Sequence, residues 1–104
     1  MKSKVMYKKV NQEPEVIEVD FKSLKELQAL VGGSLQTVPI GAKILLVCNE
    51  DGIIEGLEPN VVIGEEVILG DIFFCSFDDE DFVGLTDTQI GALKINFGLM
   101  DLRG

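Results

Sequence analysis

Carboxylates are the side chains of this sequence that could do chemistry, and they are grouped in two places. Glu50 and Asp51 are adjacent, and four consecutive acids run from position 78 to position 81. Paired carboxylates can act as general acid and base, and clustered ones can bind calcium. With one amide that follows a proline, they make up the predicted partner or ligand surface: Glu50, Asp51, Asn60, Asp78, Asp79, Glu80 and Asp81.

The acidic run does not fit an EF-hand calcium loop. In such a loop numbered from Asp78, the sharp turn requires a glycine where this chain has Val83. A solvated acidic loop is therefore the favoured interpretation. Asp51 precedes Gly52 in a turn-forming pair, where aspartate is favoured for backbone reasons alone. Asn60 is interpreted as a local Asx turn, with a ligand-facing amide as the alternative.

The sequence has no histidine and two cysteines, Cys48 and Cys75, which excludes serine–histidine and cysteine–histidine catalysis. The same composition argues against a zinc site, because zinc is bound mainly by these two residue types. Both cysteines lie in apolar, strand-like segments, so we expect two reduced, buried thiols instead of a disulfide. We predict no catalytic residue, no cofactor and no metal.

Gly32 and Gly33 resemble a phosphate-binding loop only superficially. They follow a predicted helix instead of opening one, and no Lys-Ser or Lys-Thr pair comes after them. The end of a helix is the preferred interpretation of this pair.

Charge is distributed unevenly along the 104 residues, whose net charge is −9. Residues 1–43 have a balance of +2, residues 44–93 have twelve acids and no lysine or arginine, and residues 94–104 return +1. This pattern disfavours binding to nucleic acid, which requires clustered cations. The acidic segment over residues 44–93 either keeps the protein soluble or binds a basic partner, and the first interpretation is the simpler one.

Apolar patterning predicts the strands that position these groups. The strand over 43–48 is the most apolar and is expected at the centre of a sheet, whereas Pro39 indicates an edge. Asn49-Glu50-Asp51-Gly52 is predicted to be a hairpin turn that leads into a returning strand. Residues 61–67 are predicted to be a loop or a short strand pair. The predicted strands cover residues 4–10, 15–20, 35–40, 43–48, 53–57 and 71–77.

The first helix is predicted from its capping residues. Ser23 and Glu26 fit the two positions of a capping box, and Gly32 fits the position just past the helix end. Its apolar stripe comprises Leu24, Leu27, Leu30 and Val31.

The second helix has a second capping box, formed by Thr86 and Gln89, and Gly98 is its expected terminator. Its apolar face comprises Ile90, Leu93 and Phe97. Because helices and strands do not alternate regularly, we predict a single α+β domain over residues 1–104. Two helices are expected to pack on one side of a mainly antiparallel sheet.

The location of the protein is predicted from what its apolar segments can do. No apolar run approaches the roughly 20 residues that span a bilayer, and the N-terminus does not fit a signal peptide. We therefore expect a cytoplasmic protein without membrane contact, in agreement with the reduced cysteines.

Several short motifs occur in order along most of the chain. They are Leu27-Gln28 with Val31-Gly32-Gly33, Asn49-Glu50-Asp51-Gly52, Pro59-Asn60, Ile68-Leu69-Gly70 and Leu85-Thr86. Their order and spacing resembles the domain-of-unknown-function family 3846 over about residues 5–98. Gln36 and Asp51 stand where that family usually has glutamate. The resemblance implies a small accessory protein of a phage, plasmid or other mobile element, and no established activity.

Three functions follow as hypotheses. The first is a non-enzymatic accessory protein that binds a protein partner, a basic one if the acidic middle is the contact. The second is a binder of small, nucleotide-type ligands, held between two copies in a homodimer. The third is an enzyme that uses Glu50, Asp51 or Asp71, which is the least supported because no imidazole is present.

Overall fold

The computed structural model describes residues 2–102, so Met1, Arg103 and Gly104 of the predicted domain lie outside the described residues. The fold class, α+β, is confirmed. Along the described chain the elements are β1 (Ser3–Lys8), β2 (Glu15–Val19), α1 (Leu24–Val31), β3 (Leu35–Gly41), β4 (Ile44–Asn49), β5 (Pro59–Ile63), β6 (Glu66–Leu69), β7 (Ile72–Asp78), β8 (Asp81–Val83) and α2 (Asp87–Met100).

Six of the strands form one sheet in the order β2-β1-β7-β4-β3, with β8 paired to β7. All of these pairs are antiparallel. β4 lies inside the sheet and β3, which contains Pro39, lies at its edge, as predicted. The segment that was predicted to be a loop or a strand pair is a separate hairpin of β5 and β6.

The two helices lie on opposite faces of the sheet, so their predicted placement on one side was wrong. α1 packs on the face that includes Val5, Val47 and Phe73. α2 packs on the other face, with Phe74 and its neighbours, together with the β5–β6 hairpin. The physical reason is that β1, β4 and β7 are apolar at successive positions. Both faces of the sheet must therefore be covered from water.

The ends of α1 agree with its capping signals, with two corrections. Ser23 Oγ accepts from the Glu26 backbone N–H at 3.2 Å, and Gly32 adopts the left-handed conformation at the end. The Glu26 carboxylate, however, accepts from the Asp20 N–H at 3.2 Å and does not close the box on the cap. Leu24 is 58% exposed, so the buried stripe begins one turn later than predicted.

α2 begins as predicted and ends later. Thr86 and Gln89 form both hydrogen bonds of the capping box. The helix continues through Gly98 to Met100, so Gly98 is not its terminator. The Asp101 N–H still donates to the Phe97 carbonyl at 2.9 Å, because the chain beyond the glycine is held against β5.

The predicted hairpin after β4 was wrong. Residues 50–56 form consecutive turns, in which the Glu55 N–H donates to the Asp51 carbonyl at 2.9 Å. β4 is already paired on both of its edges, with β3 on one side and β7 on the other. No edge therefore remains for a returning strand over residues 53–57.

The acidic run is a hairpin tip instead of an extended loop. Asp78 pairs with Asp81, and Asp79 has a positive φ of 52° between them. All four acids from 78 to 81 are exposed to solvent. Backbone pairing of β7 and β8 fixes their positions.

Candidate functional site

Most of the sequence motifs meet at one end of the sheet, although they are far apart in the chain. Phe73, near the start of β7, pairs with Tyr7 near the end of β1 and with Val47 near the end of β4. The C-terminal end of α1 and the start of β5 reach the same region through hydrogen bonds from Asn49 and Asn60. We call this region of the sheet the motif end.

Asn49 is the polar centre of one half of the motif end. Its side chain is buried, and its Nδ2 donates to the Val31 carbonyl at 3.3 Å and to Glu55 Oε1 at 3.4 Å. Its Oδ1 accepts from the Asp51 N–H at 2.7 Å. Asn49 therefore joins the end of α1 to the turns that follow β4.

Gly33 has a packing role beside this asparagine. A Cβ atom at Gly33 would lie 2.8 Å from Asn49 Nδ2, which is closer than van der Waals contact allows. Gly32 supplies the left-handed conformation, with φ of 78°. The glycine pair thus ends α1 and admits Asn49, in agreement with the helix-end interpretation of this motif.

Asn60 is buried, so its assignment to an exposed partner surface was wrong, and the Asx-turn interpretation was wrong as well. Its Nδ2 donates at 2.8 Å both to the Lys8 carbonyl and to the Gly70 carbonyl. Its Oδ1 accepts from Lys8 Nζ at 2.9 Å. The amide joins the β5–β6 hairpin to the main sheet, and its oxygen and nitrogen both bond to groups inside the protein.

Lys8 is a buried cation that was not among the residues predicted from the sequence. It is fully buried, and its Nζ also donates to the Lys9 carbonyl at 3.0 Å and lies 3.5 Å from Asp101 Oδ1. A signal was present, because strand periodicity places Lys8 on the same face as the buried Met6. The lysine was overlooked because lysines on strands usually face water.

Glu50 and Asp51 belong to an exposed segment, residues 50–56, which we call the isoleucine turn. Ile53 and Ile54 at its tip are 86% and 85% exposed. The turn is nevertheless ordered by backbone hydrogen bonds, since the Glu50 N–H donates to the Ser34 carbonyl at 2.8 Å and the Leu57 N–H to the Gly52 carbonyl at 3.0 Å. Sequence patterning missed these isoleucines because it assigned them to a strand.

The isoleucine turn borders the β5–β6 hairpin. Ile53 and Val67, which is 49% exposed, line the same shallow depression of about 90 Å³. Glu50 and Glu66 also line it. The result is an apolar surface with carboxylates around it, on an ordered backbone.

The predicted surface residues do not form one site. Glu50 and Asp51 lie at the motif end, where β7 starts, whereas Asp78, Asp79, Glu80 and Asp81 lie where β7 ends. β7 has seven residues. A strand of that length spans about 20 Å. Asn60 is inside the protein, so two separate acidic surfaces remain.

Asp71, the third carboxylate of the enzyme hypothesis, lies beside the motif end. Its Oδ1 accepts from the Val10 N–H at 2.9 Å, which holds the chain just after β1. Within residues 2–102, no three histidine, cysteine, aspartate or glutamate side chains are grouped so as to hold a metal ion.

The two cysteines are free and buried, as predicted, and they lie on opposite faces of the sheet. Burial raises the pKa of the Cys75 thiol to about 12. Burial, and then the negative charge of Glu66, raise the pKa of Cys48. A raised pKa keeps a thiol protonated and therefore unreactive.

In the described part of the chain, neither helix is both long and apolar enough to cross a membrane.

No curated protein matches this chain, and no solved structure matches it. The model of one family, described as "Domain of unknown function (DUF3846)", matches residues 1–98. That match covers nearly the whole sequence, and the chain therefore belongs to the DUF3846 family.

Proposed function

We propose that this protein is a non-enzymatic binding protein that docks a protein partner through the isoleucine turn. The observation that carries the proposal is the exposure of Ile53 and Ile54, at 86% and 85%, on a segment with ordered backbone hydrogen bonds. Burying one such side chain in a partner contributes about 1.5–3 kcal/mol. Since the backbone is already ordered, little conformational entropy is lost on binding.

Charge indicates the kind of partner. The isoleucine turn contains Glu50, Asp51 and Glu55, and Glu66 lies beside it. The segment has no lysine or arginine of its own. We infer that the partner has an apolar pocket with a basic rim, because complementary charges steer association and fix orientation.

A phage, plasmid or other mobile-element setting is part of this proposal, and so is a cytoplasmic location. The first is supported by the resemblance of the ordered motifs. The second is supported by the two free, buried cysteines, because oxidising compartments favour disulfides.

The test compares retention of lysate proteins on immobilised wild-type protein with retention on an Ile53→Ser/Ile54→Ser variant. A Leu24→Ser variant is the matched control, because Leu24 is an exposed leucine on a different part of the surface. We expect a protein that binds wild type and control, is lost from the double variant, and is released by raised salt. Retention that is equal on all three proteins, or absent from wild type, would contradict the proposal.

Small-molecule binding is the second hypothesis, and the surface supports it less. The groove of about 300 Å³ at the motif end is lined by Glu58 and Asp71, with no lysine or arginine among its described lining residues. A nucleotide phosphate there would meet charges of its own sign. A thermal-shift screen with nucleotides separates the two hypotheses, because a bound ligand raises the melting temperature by mass action.

A carboxylate enzyme is the third hypothesis and the least supported. Glu50 and Asp51 are exposed on a turn, and Asp71 accepts a backbone hydrogen bond. A general acid or base needs a pocket that positions a substrate beside it.

A further inference from the structure

The first half of β3 is an unprotected edge of the six-stranded sheet. β3 and β2 are the two ends of the strand order. β2 contains Glu15 and Glu18, and charged side chains are one means by which proteins prevent an edge from pairing with another strand. Residues 34–38, in contrast, have no charged side chain. Pro39 and the irregular register that follows it protect only the far end of β3.

The pairing with β4 shows which backbone groups of this edge point outward. The Glu50 N–H donates to the Ser34 carbonyl at 2.8 Å, so residue 34 belongs to a hydrogen-bonded pair of the antiparallel ladder. Such pairs alternate with non-hydrogen-bonded ones, and the register is regular from Leu35 to Pro39. The N–H and C=O groups of Leu35 and Thr37 therefore point away from β4. Pro39 falls in the same alternation, where the N–H that it lacks would also have pointed outward.

The outward groups have no partner in the described part of the chain. β3 pairs with β4 alone, and no other backbone or side-chain group among residues 2–102 forms a hydrogen bond with the outward groups of Leu35 and Thr37. Gln36 and Thr37 are exposed at this edge. Alternating donors and acceptors on an exposed edge are complementary to the backbone of another extended strand.

The open edge is continuous with the surface beside the isoleucine turn. Gln36 lines the depression of about 90 Å³ that Ile53 and Val67 also line, and Glu50 and Glu66 belong to the same lining. Successive side chains of a strand point to opposite faces of a sheet, so every second residue of an added strand lies on the face with this depression. A lysine or arginine at such a position has carboxylates of opposite charge on its own side of the sheet.

We propose that an extended, basic segment of the protein partner adds to the first half of β3 as a further strand of the sheet. This inference rests on the proposed function and names the form in which the partner is bound beside the isoleucine turn. Main-chain hydrogen bonds with Leu35 and Thr37 supply affinity, and the carboxylates of Glu50 and Glu66 select basic residues at alternate positions of the segment.

The first test uses a short peptide of alternating lysine and valine, acetylated and amidated, with the intact isotope-labelled protein at low salt. We expect saturable NMR shifts and hydrogen exchange that is at least about threefold slower at the N–H groups of Leu35 and Thr37. The N–H groups of Gln36 and Val38, which already bond to β4, should change little. Absence of slower exchange at Leu35 and Thr37 would overturn the proposal.

A peptide with the same charge and with methyl groups on its backbone nitrogens is the matched control for non-specific attraction. It cannot donate main-chain hydrogen bonds, so it should leave the exchange of Leu35 and Thr37 unchanged. Equal effects of the two peptides would show that charge alone holds them, and would contradict addition of a strand.

The second test changes one outward N–H group. Thr37→Pro removes this donor without removing a hydrogen bond to β4, and we expect it to weaken binding of the alternating peptide at least about tenfold. Thr37→Val is the matched control, because it keeps the N–H and nearly the same shape, and it should bind as wild type does. Equal affinities of the two variants would contradict the proposal. Circular dichroism checks folding, and if the proline variant is unfolded, the exchange pattern of wild type decides alone.

Sedimentation equilibrium of the protein without peptide tests a different occupant of the same edge. We expect wild type and Thr37→Pro to have the same molar mass. A wild-type dimer that Thr37→Pro abolishes would assign the edge to a second copy of this chain and overturn the proposal.

The Ile53→Ser/Ile54→Ser variant separates this inference from the proposed function. It should lose the lysate partner and still show slower exchange at Leu35 and Thr37 with the peptide. A partner that this variant retains, together with slow exchange at the edge, would contradict the isoleucine contact alone. Unchanged exchange at the edge, together with loss of the partner, would contradict strand addition alone.

Discussion

Lys8 and Asn60 show how two polar side chains hold three elements together. Lys8 comes from β1, Asn60 from β5, and Asp101 follows the end of α2. The lysine is fully buried, and a buried charge is tolerated only where it is paired and hydrogen-bonded. This cluster fixes the β5–β6 hairpin and the end of α2 against the sheet.

Replacing the lysine should therefore be costly. We expect Lys8→Met to lower the free energy of unfolding by about 3–5 kcal/mol, because the buried ion pair with Asp101 is broken and Asn60 Oδ1 loses a donor. Urea unfolding followed by circular dichroism measures the change. Lys9→Met is the matched control, since Lys9 is exposed, and it should change the stability little.

Adding Asp101→Asn to Lys8→Met should recover part of the loss, because the negative charge that faced Lys8 is then removed together with the lysine. Losses that simply add in the double variant would show that Lys8 and Asp101 are not energetically coupled.

Cys75 permits a prediction about chemical reactivity. Its pKa is raised from 9.0 to about 12 by burial, so at pH 9.0 the folded protein holds very little thiolate. In a Cys48→Ser variant, we expect iodoacetamide to label Cys75 at least about a hundredfold more slowly in native protein than in urea. Mass spectrometry follows the rate. Equal rates in the two conditions would mean that the thiol is accessible in the folded protein.

The same shift predicts how stability depends on pH. Above about pH 9 the unfolded chain loses the Cys75 proton and the folded chain keeps it. The unfolded state then binds fewer protons, so the contribution of Cys75 to the free energy of unfolding falls as pH rises.

Among the elements, the segment that follows β4 shows the limit of local patterning. Ile53 and Ile54 next to an Asp-Gly pair are typical of a hairpin's returning strand. A strand also needs a free edge, and both edges of β4 are occupied. The isoleucines therefore remain on an exposed turn, where they carry the proposed function.

The start of α2, in contrast, follows local rules. The Thr86 Oγ1 accepts from the Gln89 N–H at 3.1 Å, and Gln89 Oε1 accepts from the Thr86 N–H at 2.9 Å. We expect Thr86→Ala to lower the free energy of unfolding by about 1 kcal/mol, because the Gln89 N–H at the start of α2 loses its acceptor. Chemical denaturation measures it. Thr88→Ala, two residues further into the same helix, should be close to neutral or slightly stabilising. Equal losses in the two variants would contradict the capping role.

At the scale of the whole molecule, negative charge dominates. The net charge is −9, and residues 44–93 contain twelve acids and no lysine or arginine. The buried contact of Lys8 with Asp101 is shielded from salt, whereas the exposed carboxylates are not. Repulsion among exposed charges therefore opposes the folded state at low ionic strength.

Sodium chloride should consequently stabilise the protein. We expect the melting temperature at about 0.5 M salt to exceed that at low salt by a few degrees, since the Debye length falls well below 10 Å. Differential scanning calorimetry at one fixed protein concentration measures the change. A melting temperature that falls with added salt would show that attractive ion pairs outweigh the repulsion.

Much of the local structure could be predicted from the sequence because its causes are local. The capping threonine, the glycine after Val31 and the edge proline act within a few residues of themselves. The apolar centre of the sheet also followed from β4 alone, whose residues are nearly all buried. The two buried thiols followed from their apolar neighbours.

What the sequence by itself determined was therefore the fold class, the element types at most positions and the acidity of the surface. The tertiary structure alone decided which face each helix covers, that residues 53–57 are no strand, and that Lys8 and Asn60 are interior partners 52 residues apart. Those outcomes depend on which strand edges and faces other segments have already occupied. Such competition between distant segments cannot be inferred from the local spacing of residues in the sequence, because it is resolved only when the whole chain packs.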